Sequence, residues 1–160
     1  MSKSEVLFSL AQALAGERPT LFQVKGPGVG DHDTGSFIRE LRNRALEAFG
    51  MDFAEKNICG ENNLRVDYHF PDEETIVEVA FGLRNPLSEY ERDILKAIIS
   101  RECGYAVSRL LFISKPGAQK RLSQPGASAI NRWAAQQGIT IEVRELSSNS
   151  QTFYPQRDER

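Results

Sequence analysis

The stretch from Leu64 to Phe81 constrains the fold most. Leu64 to Phe70 alternates in the strand manner, Pro71 to Glu74 has the composition of a turn, and Thr75 to Phe81 is a second strand rich in β-branched residues. A four-residue turn pairs Phe70 with Thr75. The register then runs back through His69 with Ile76, Tyr68 with Val77, Asp67 with Glu78, Val66 with Val79 and Arg65 with Ala80. Directly opposed residues share a face of the sheet. One face carries Val66, Tyr68, Phe70, Val77, Val79 and Phe81, and is the core. The other carries Arg65, Asp67, His69, Ile76, Glu78 and Ala80. A slip of one residue sets the acids against apolar core positions, so the pattern selects this register.

The flanking segments place the hairpin in an α/β domain. Ser4 to Ala15 has apolar residues at helical spacing and stops at Gly16. The glycine-rich stretch from Lys25 to Gly35 reads as loop, with Ser36 capping a second helix over Phe37–Phe49. Phe53 to Cys59 holds a weakly marked first strand. After Asn85 and Pro86, a helix runs over Leu87–Cys103, with Ser88 and Glu91 as a capping box and Leu87, Ile94, Leu95, Ile98 and Ile99 as its buried stripe. Val107–Ile113 is a buried strand, 117–128 a loop or broken helix, Ala129–Gln137 a helix with Trp133 on its inner face, and Ile139–Leu146 the last strand. A hairpin followed by strand–helix alternation predicts a layered α/β domain with a central mixed sheet flanked by helices, its later strands parallel. With 160 residues, 40% of them hydrophobic, one domain over 1–146 is expected, its core at 36–146, with a polar, disordered tail at 147–160.

Asp67 and Glu78 are direct cross-strand neighbours in this register. Opposed like charges destabilise a strand pair unless something neutralises them. Arg65 or His69 can do so as plain surface charge. A divalent cation can do so as a functional site, since carboxylate oxygens suit Mg²⁺, which takes one or two of them and completes its shell with water and phosphate. The formal charge of −2 excludes coating nucleic acid by bulk charge, but not a local basic groove or a metal-mediated phosphate site.

Asp67, followed about ten residues later by an acid in the apolar strand Ile76–Phe81, resembles the PD-(D/E)xK nuclease superfamily. The run from Ile76 through Phe81, Gly82 and Leu83 to Arg84, and then Asp93 to Ile99, is similar to type II restriction endonucleases of the BamHI/BglII group, which show a Glu-x-x-Phe-Gly strand end followed by a helix with an Asp and a Lys. The resemblance implies a restriction-endonuclease-like fold and Mg²⁺- or Mn²⁺-dependent hydrolysis of DNA, with Asp67 and Glu78 as metal ligands and water as nucleophile. It also implies a third acid from the first core helix, for which Glu40 and Glu47 are the options and Glu47 lies nearer the hairpin in sequence. The chain departs from the family at Ala80, where most members carry Lys. Arg65, opposite it, can neutralise phosphate but cannot act as a base. Lys96 on the following helix is the other candidate, or else a solvated partner of Asp93 three residues away. The departure keeps a second function open, a non-catalytic nucleic-acid-binding or protein-interaction module on the same fold. A third reading is an unrelated α/β domain in which the hairpin acids are incidental.

Other features carry less. Asp31, His32 and Asp33 form a polar triplet in the expected loop, and the glycines around them lack phosphate-loop spacing. Lys115, Lys120, Arg121 and Arg132 are a loose basic cluster that can track a phosphate backbone or face solvent. Cys59 and Cys103 have neither zinc nor disulfide-framework spacing, so a reducing cytoplasm is the expected compartment. No apolar run approaches the roughly 18 residues of a membrane helix, and Met1 to Glu5 lacks a signal-peptide layout. A homodimer is the expected assembly for an enzyme that cuts both strands of a duplex.

Overall fold

The structure, a computed structural model, describes residues 1–23, 29–83 and 86–147, without the side chains at 29–31, 86 and 87. Among the described residues, five strands cross one sheet in chain order: β1 (Ala54–Lys56), β2 (Val66–Phe70), β3 (Thr75–Val79), β4 (Arg109–Ser114) and β5 (Thr140–Glu145). The first three are antiparallel neighbours. β3, β4 and β5 are parallel, as strands separated by helices require. Helices α1 (Lys3–Gly16) and α2 (Val29–Phe49) precede the sheet, α3 (Pro86–Glu102) joins β3 to β4, and α4 (Ala118–Leu122) and α5 (Pro125–Gln136) join β4 to β5.

The hairpin has the expected register, with Phe70 opposite Thr75, His69 opposite Ile76 and Tyr68 opposite Val77. Its turn is one 3-10 turn, Pro71–Glu73, closed by Glu74 at φ 49°. Tyr68, Phe70, Val77, Val79 and Phe81 face α1 and α2, meeting Leu7, Leu14, Phe37 and Leu41. Val66 departs from this set and packs in the second cluster. The second face of the hairpin is not a solvent face. Ile76 and Ala80, with Leu110 and Phe112 of β4, lie beneath Tyr90, Ile94 and Ala97 of α3 and Ala134 of α5. Parallel strands need both faces covered, and this sheet has helices on both.

Four local expectations are corrected. α2 begins at Val29, so Gly35 and Ser36 are inside a helix and not at its cap. A glycine in a helix costs only about 1 kcal/mol, which the packing of Phe37 and Leu41 outweighs. α3 begins at Pro86, which suits the first helical position, so Ser88 is no N-cap. Its buried side chains are Tyr90, Asp93, Ile94, Lys96, Ala97 and Ser100, whereas Leu95 is 52% exposed. α5 begins one turn earlier than expected and packs through Ala127 and Ala134, leaving Trp133 44% exposed. The expected tail lies outside the described residues from position 148 onward.

Candidate functional site

The hairpin forks at the acids. Where the ladder passes beyond Tyr68 and Val77, side chains take over from backbone acceptors. Asp67 Oδ2 accepts the Val79 N–H at 2.7 Å, and Glu78 Oε2 accepts the Asp67 N–H at 3.4 Å. Beyond the fork, Ala80 turns to β4 and donates its N–H to the Ile113 carbonyl at 2.9 Å. The apolar alternation of the two strands therefore delivers two carboxylates to one opening in the sheet.

α3 closes over that opening with opposite charge. Lys96 Nζ lies 2.7 Å from Glu78 Oε1 and 2.8 Å from Asp93 Oδ1, and donates to the Arg65 carbonyl at 2.9 Å. An ammonium has three N–H groups, and three oxygens surround this one. Both carboxylate contacts are ion pairs outside hydrogen-bond geometry, and among the described residues Glu78 Oε1 has no hydrogen-bond donor. Glu78, Asp93 and Lys96 are 2%, 3% and 6% exposed, which puts the cluster in a low-dielectric interior where charge imbalance is costly. Asp67 is half-buried at its edge.

The protonation equilibria reflect the imbalance. Burial raises the Asp67 carboxyl against the opposing Val79 hydrogen bond and Lys96 charge. Glu78 stands well above the ordinary range, first through burial and then through the Asp67 and Asp93 charges. Asp93 is raised by burial despite Lys96 and Arg92. Burial acts to lower the Lys96 ammonium, and Glu78 with Asp93 more than reverses it. Glu89, one turn before Asp93, is raised by burial and by the Asp93 charge. Its carboxylate lies against Gly82, where an added Cβ would sit 2.7 Å from Glu89 Oε2. With Asp67, Glu78 and Asp93 ionised against Lys96, the cluster carries two excess negative charges.

The other candidates are placed as follows. Arg65 precedes β2 and is exposed, and the cluster uses its carbonyl. Ala80 is buried in the apolar cluster beneath α3. Glu47 is exposed on α2, on the sheet face opposite α3. The neighbouring Phe49 packs on Phe70 at the turn end of the hairpin, whereas Phe37 packs on Phe81 at the forked end. The structure does not bring Glu47 to the carboxylate pair. Glu40 pairs with Arg44 at 3.0 Å. His69 is buried and lowered by that burial; its ring meets Tyr105 edge-on at 5.8 Å, and among the described residues its Nε2 has no hydrogen-bond partner. His32 and Asp33 lie on α2, with the Asp31 side chain outside the described residues. Lys120 and Arg121 are exposed on α4, Arg121 reaching the Leu83 carbonyl at 3.4 Å, while Arg132 bonds to Ser128 on α5.

Among the described residues, no three His, Cys, Asp or Glu side chains are arranged to hold a metal ion. Asp67 and Glu78 offer two carboxylates of the hard-oxygen kind that Mg²⁺ and Mn²⁺ accept, and Mg²⁺ uses no more than one or two when phosphate and water complete its shell. The donor chemistry fits. No protein-family model, curated protein or solved structure matches this chain. What it does is therefore read from the cluster itself. No described helix is long and apolar enough to cross a membrane.

Asp93 and Glu89 are the members that sequence reasoning did not assign to the site. Their signal was present. Tyr90, Asp93, Ile94 and Ala97 recur at three- and four-residue spacing, so one acid falls inside an apolar stripe.

Proposed function

We propose that this chain is a divalent-cation-dependent nuclease that hydrolyses DNA phosphodiester bonds on a restriction-endonuclease-like domain. The observation that supports it is the forked hairpin: Asp67 and Glu78 converge at one opening, and a single ammonium underbalances three carboxylates, two of them buried. A mixed sheet with helices on both faces is compatible with that domain.

Asp67 and Glu78 hold the cation. When bound, it supplies the positive charge that lowers the pKa of water and offsets charge developing at phosphorus. Asp67 is anchored by the Val79 N–H through Oδ2. The Val79 bond fixes the carboxylate at the fork, so it needs no reorganisation when substrate arrives. Arg65, exposed beside the opening, meets the phosphate backbone from solvent. Lys96 contributes positive charge from the buried side. Glu47 has no part in this arrangement. Two copies place one site on each strand of a duplex, and a homodimer belongs to the same proposal.

One observation favours a second reading. Ala80, just past the end of β3, is 1% exposed among apolar neighbours and carries no polar group where most of the resembling nucleases carry lysine. A chain that binds DNA or a protein without cutting fits that residue.

The deciding experiment is incubation of supercoiled plasmid with the purified protein in Mg²⁺ and Mn²⁺. Nicked and linear products are expected from the parent and not from Asp67→Ala or Glu78→Gln. Binding of DNA without cleavage by the parent in either cation supports the non-catalytic module instead.

A further inference from the structure

Lys96 poses a problem for the site just described. Its ammonium occupies the Glu78 carboxylate that the proposed cation needs. The contact is close and buried: Nζ is 2.7 Å from Glu78 Oε1, and both side chains are nearly inaccessible. A divalent cation on the same oxygen and the ammonium beside it repel each other strongly in a water-poor interior. Yet Lys96 has a second carboxylate. Asp93, three residues earlier on α3, lies 2.8 Å from Nζ. It needs no chain movement to keep the lysine, because the two residues belong to one rigid helix.

The charges support an exchange over simple exclusion. Fully ionised, as a bound cation would hold them, Asp67, Glu78 and Asp93 with Lys96 sum to −2, which one divalent cation cancels. A lysine expelled from the cluster would leave an excess negative charge; a lysine that shifts from Glu78 to Asp93 leaves none. Both carboxylate contacts of Lys96 are ion pairs at similar distances, 2.7 Å to Glu78 and 2.8 Å to Asp93, so the ammonium already bridges the two and its hydrogen bond to the Arg65 carbonyl stays in place when it shifts between them.

We infer that Lys96 is the built-in counter-ion of Glu78, and that a divalent cation loads the site by displacing the ammonium from Glu78 onto Asp93. This rests on the cation reading of Asp67 and Glu78. Asp93 is then a positioning residue, which receives the lysine and lowers the cost of loading.

Two measurements test it. The first is calorimetric titration of Mn²⁺ into the parent, Lys96→Met and Asp93→Asn proteins, with folding checked by circular dichroism. Removing the competing ammonium tightens Mn²⁺ binding by about tenfold or more, and Asp93→Asn, which leaves the lysine only Glu78, weakens it by a similar factor. The second uses the parent alone, so it holds if Lys96→Met does not fold. The Lys96 side-chain NMR resonances are followed during Mg²⁺ titration and shift in step with occupancy. Equal Mn²⁺ affinity in all three proteins, or Lys96 resonances unmoved at saturating Mg²⁺, overturns the displacement while leaving the cation site standing. No cation binding in the parent or in Lys96→Met overturns the reading beneath it as well.

Discussion

Glu78→Gln tests the electrostatics of the cluster without any assumption about function. In metal-free buffer with chelator, Glu78 has a folded pKa raised well above its unfolded value, chiefly by burial and then by Asp67 and Asp93. The folded state therefore holds a proton that the unfolded state releases. Stability falls as pH climbs from the unfolded pKa, near 4.5, toward the folded one. Within that window each titrating group contributes a slope of up to about 1.4 kcal/mol per pH unit. Glutamine keeps the shape and removes the titration, while Lys96 retains Asp93 and the Arg65 carbonyl. Surface acids held low by their partners, such as Asp52 beside Arg42 and Asp72 beside Lys3, slope the opposite way in both proteins and cancel in the difference. Urea unfolding at half-unit steps from pH 4.5 to 7.5 gives the two curves. The variant gains on the parent as pH rises, the slope growing from pH 4.5 toward a ceiling of about 1.4 kcal/mol per unit, and the gain levels off above the folded pKa. A constant difference across the range, or a variant that loses ground as pH rises, refutes the assignment of a raised Glu78.

Further outcomes follow from the same geometry. Ile94→Ala, on the buried face of α3, costs about 2–5 kcal/mol in chemical denaturation, whereas Leu95→Ala, 52% exposed, changes stability by no more than about 0.5 kcal/mol; reversed values would mean that α3 is rotated. Lys96→Met leaves Glu78 and Asp93 without their ammonium and costs about 3–5 kcal/mol at neutral pH, a loss that shrinks in acid as the carboxyls take up protons, read from melts at pH 5 and 7. Gly82→Ala displaces the mobile end of Glu89 rather than backbone, so its melting temperature changes little, and a loss beyond about 1 kcal/mol would show that Glu89 is fixed there. Arg65→Ala leaves stability unchanged because the cluster uses the carbonyl, while it slows plasmid cleavage if the guanidinium meets phosphate.

The hairpin was legible because alternation, turn length and the placement of two acids agree on one register. Its three paired positions are the expected ones. The parallel strands followed from the helices between them. The rotation of α3 was not legible, and the reason is physical. Asp93 and Lys96 have the spacing of an exposed ion pair, and Leu95 looks like core. Only the carboxylate of Glu78, on another element, makes burial of the polar side tolerable, and no local pattern contains that partner. The start of α2 was hidden by glycines whose individual cost is small against the packing of Phe37 and Leu41. Trp133 was misplaced because size suggested core, whereas α5 lies close through its alanines. Glu47 was chosen by sequence proximity to the hairpin, but α2 runs so that its end packs at the turn, away from the fork.

The most direct test of the carboxylate pair is calorimetric titration of Mg²⁺ and Mn²⁺ into the parent protein and Asp67→Ala, in the presence of a short cleavage-resistant DNA duplex that can supply phosphate ligands. Saturable cation binding in the parent that disappears in the variant is the expected result. Binding that survives Asp67→Ala unchanged, or is absent from the parent even with the duplex, contradicts a cation site at Asp67 and Glu78.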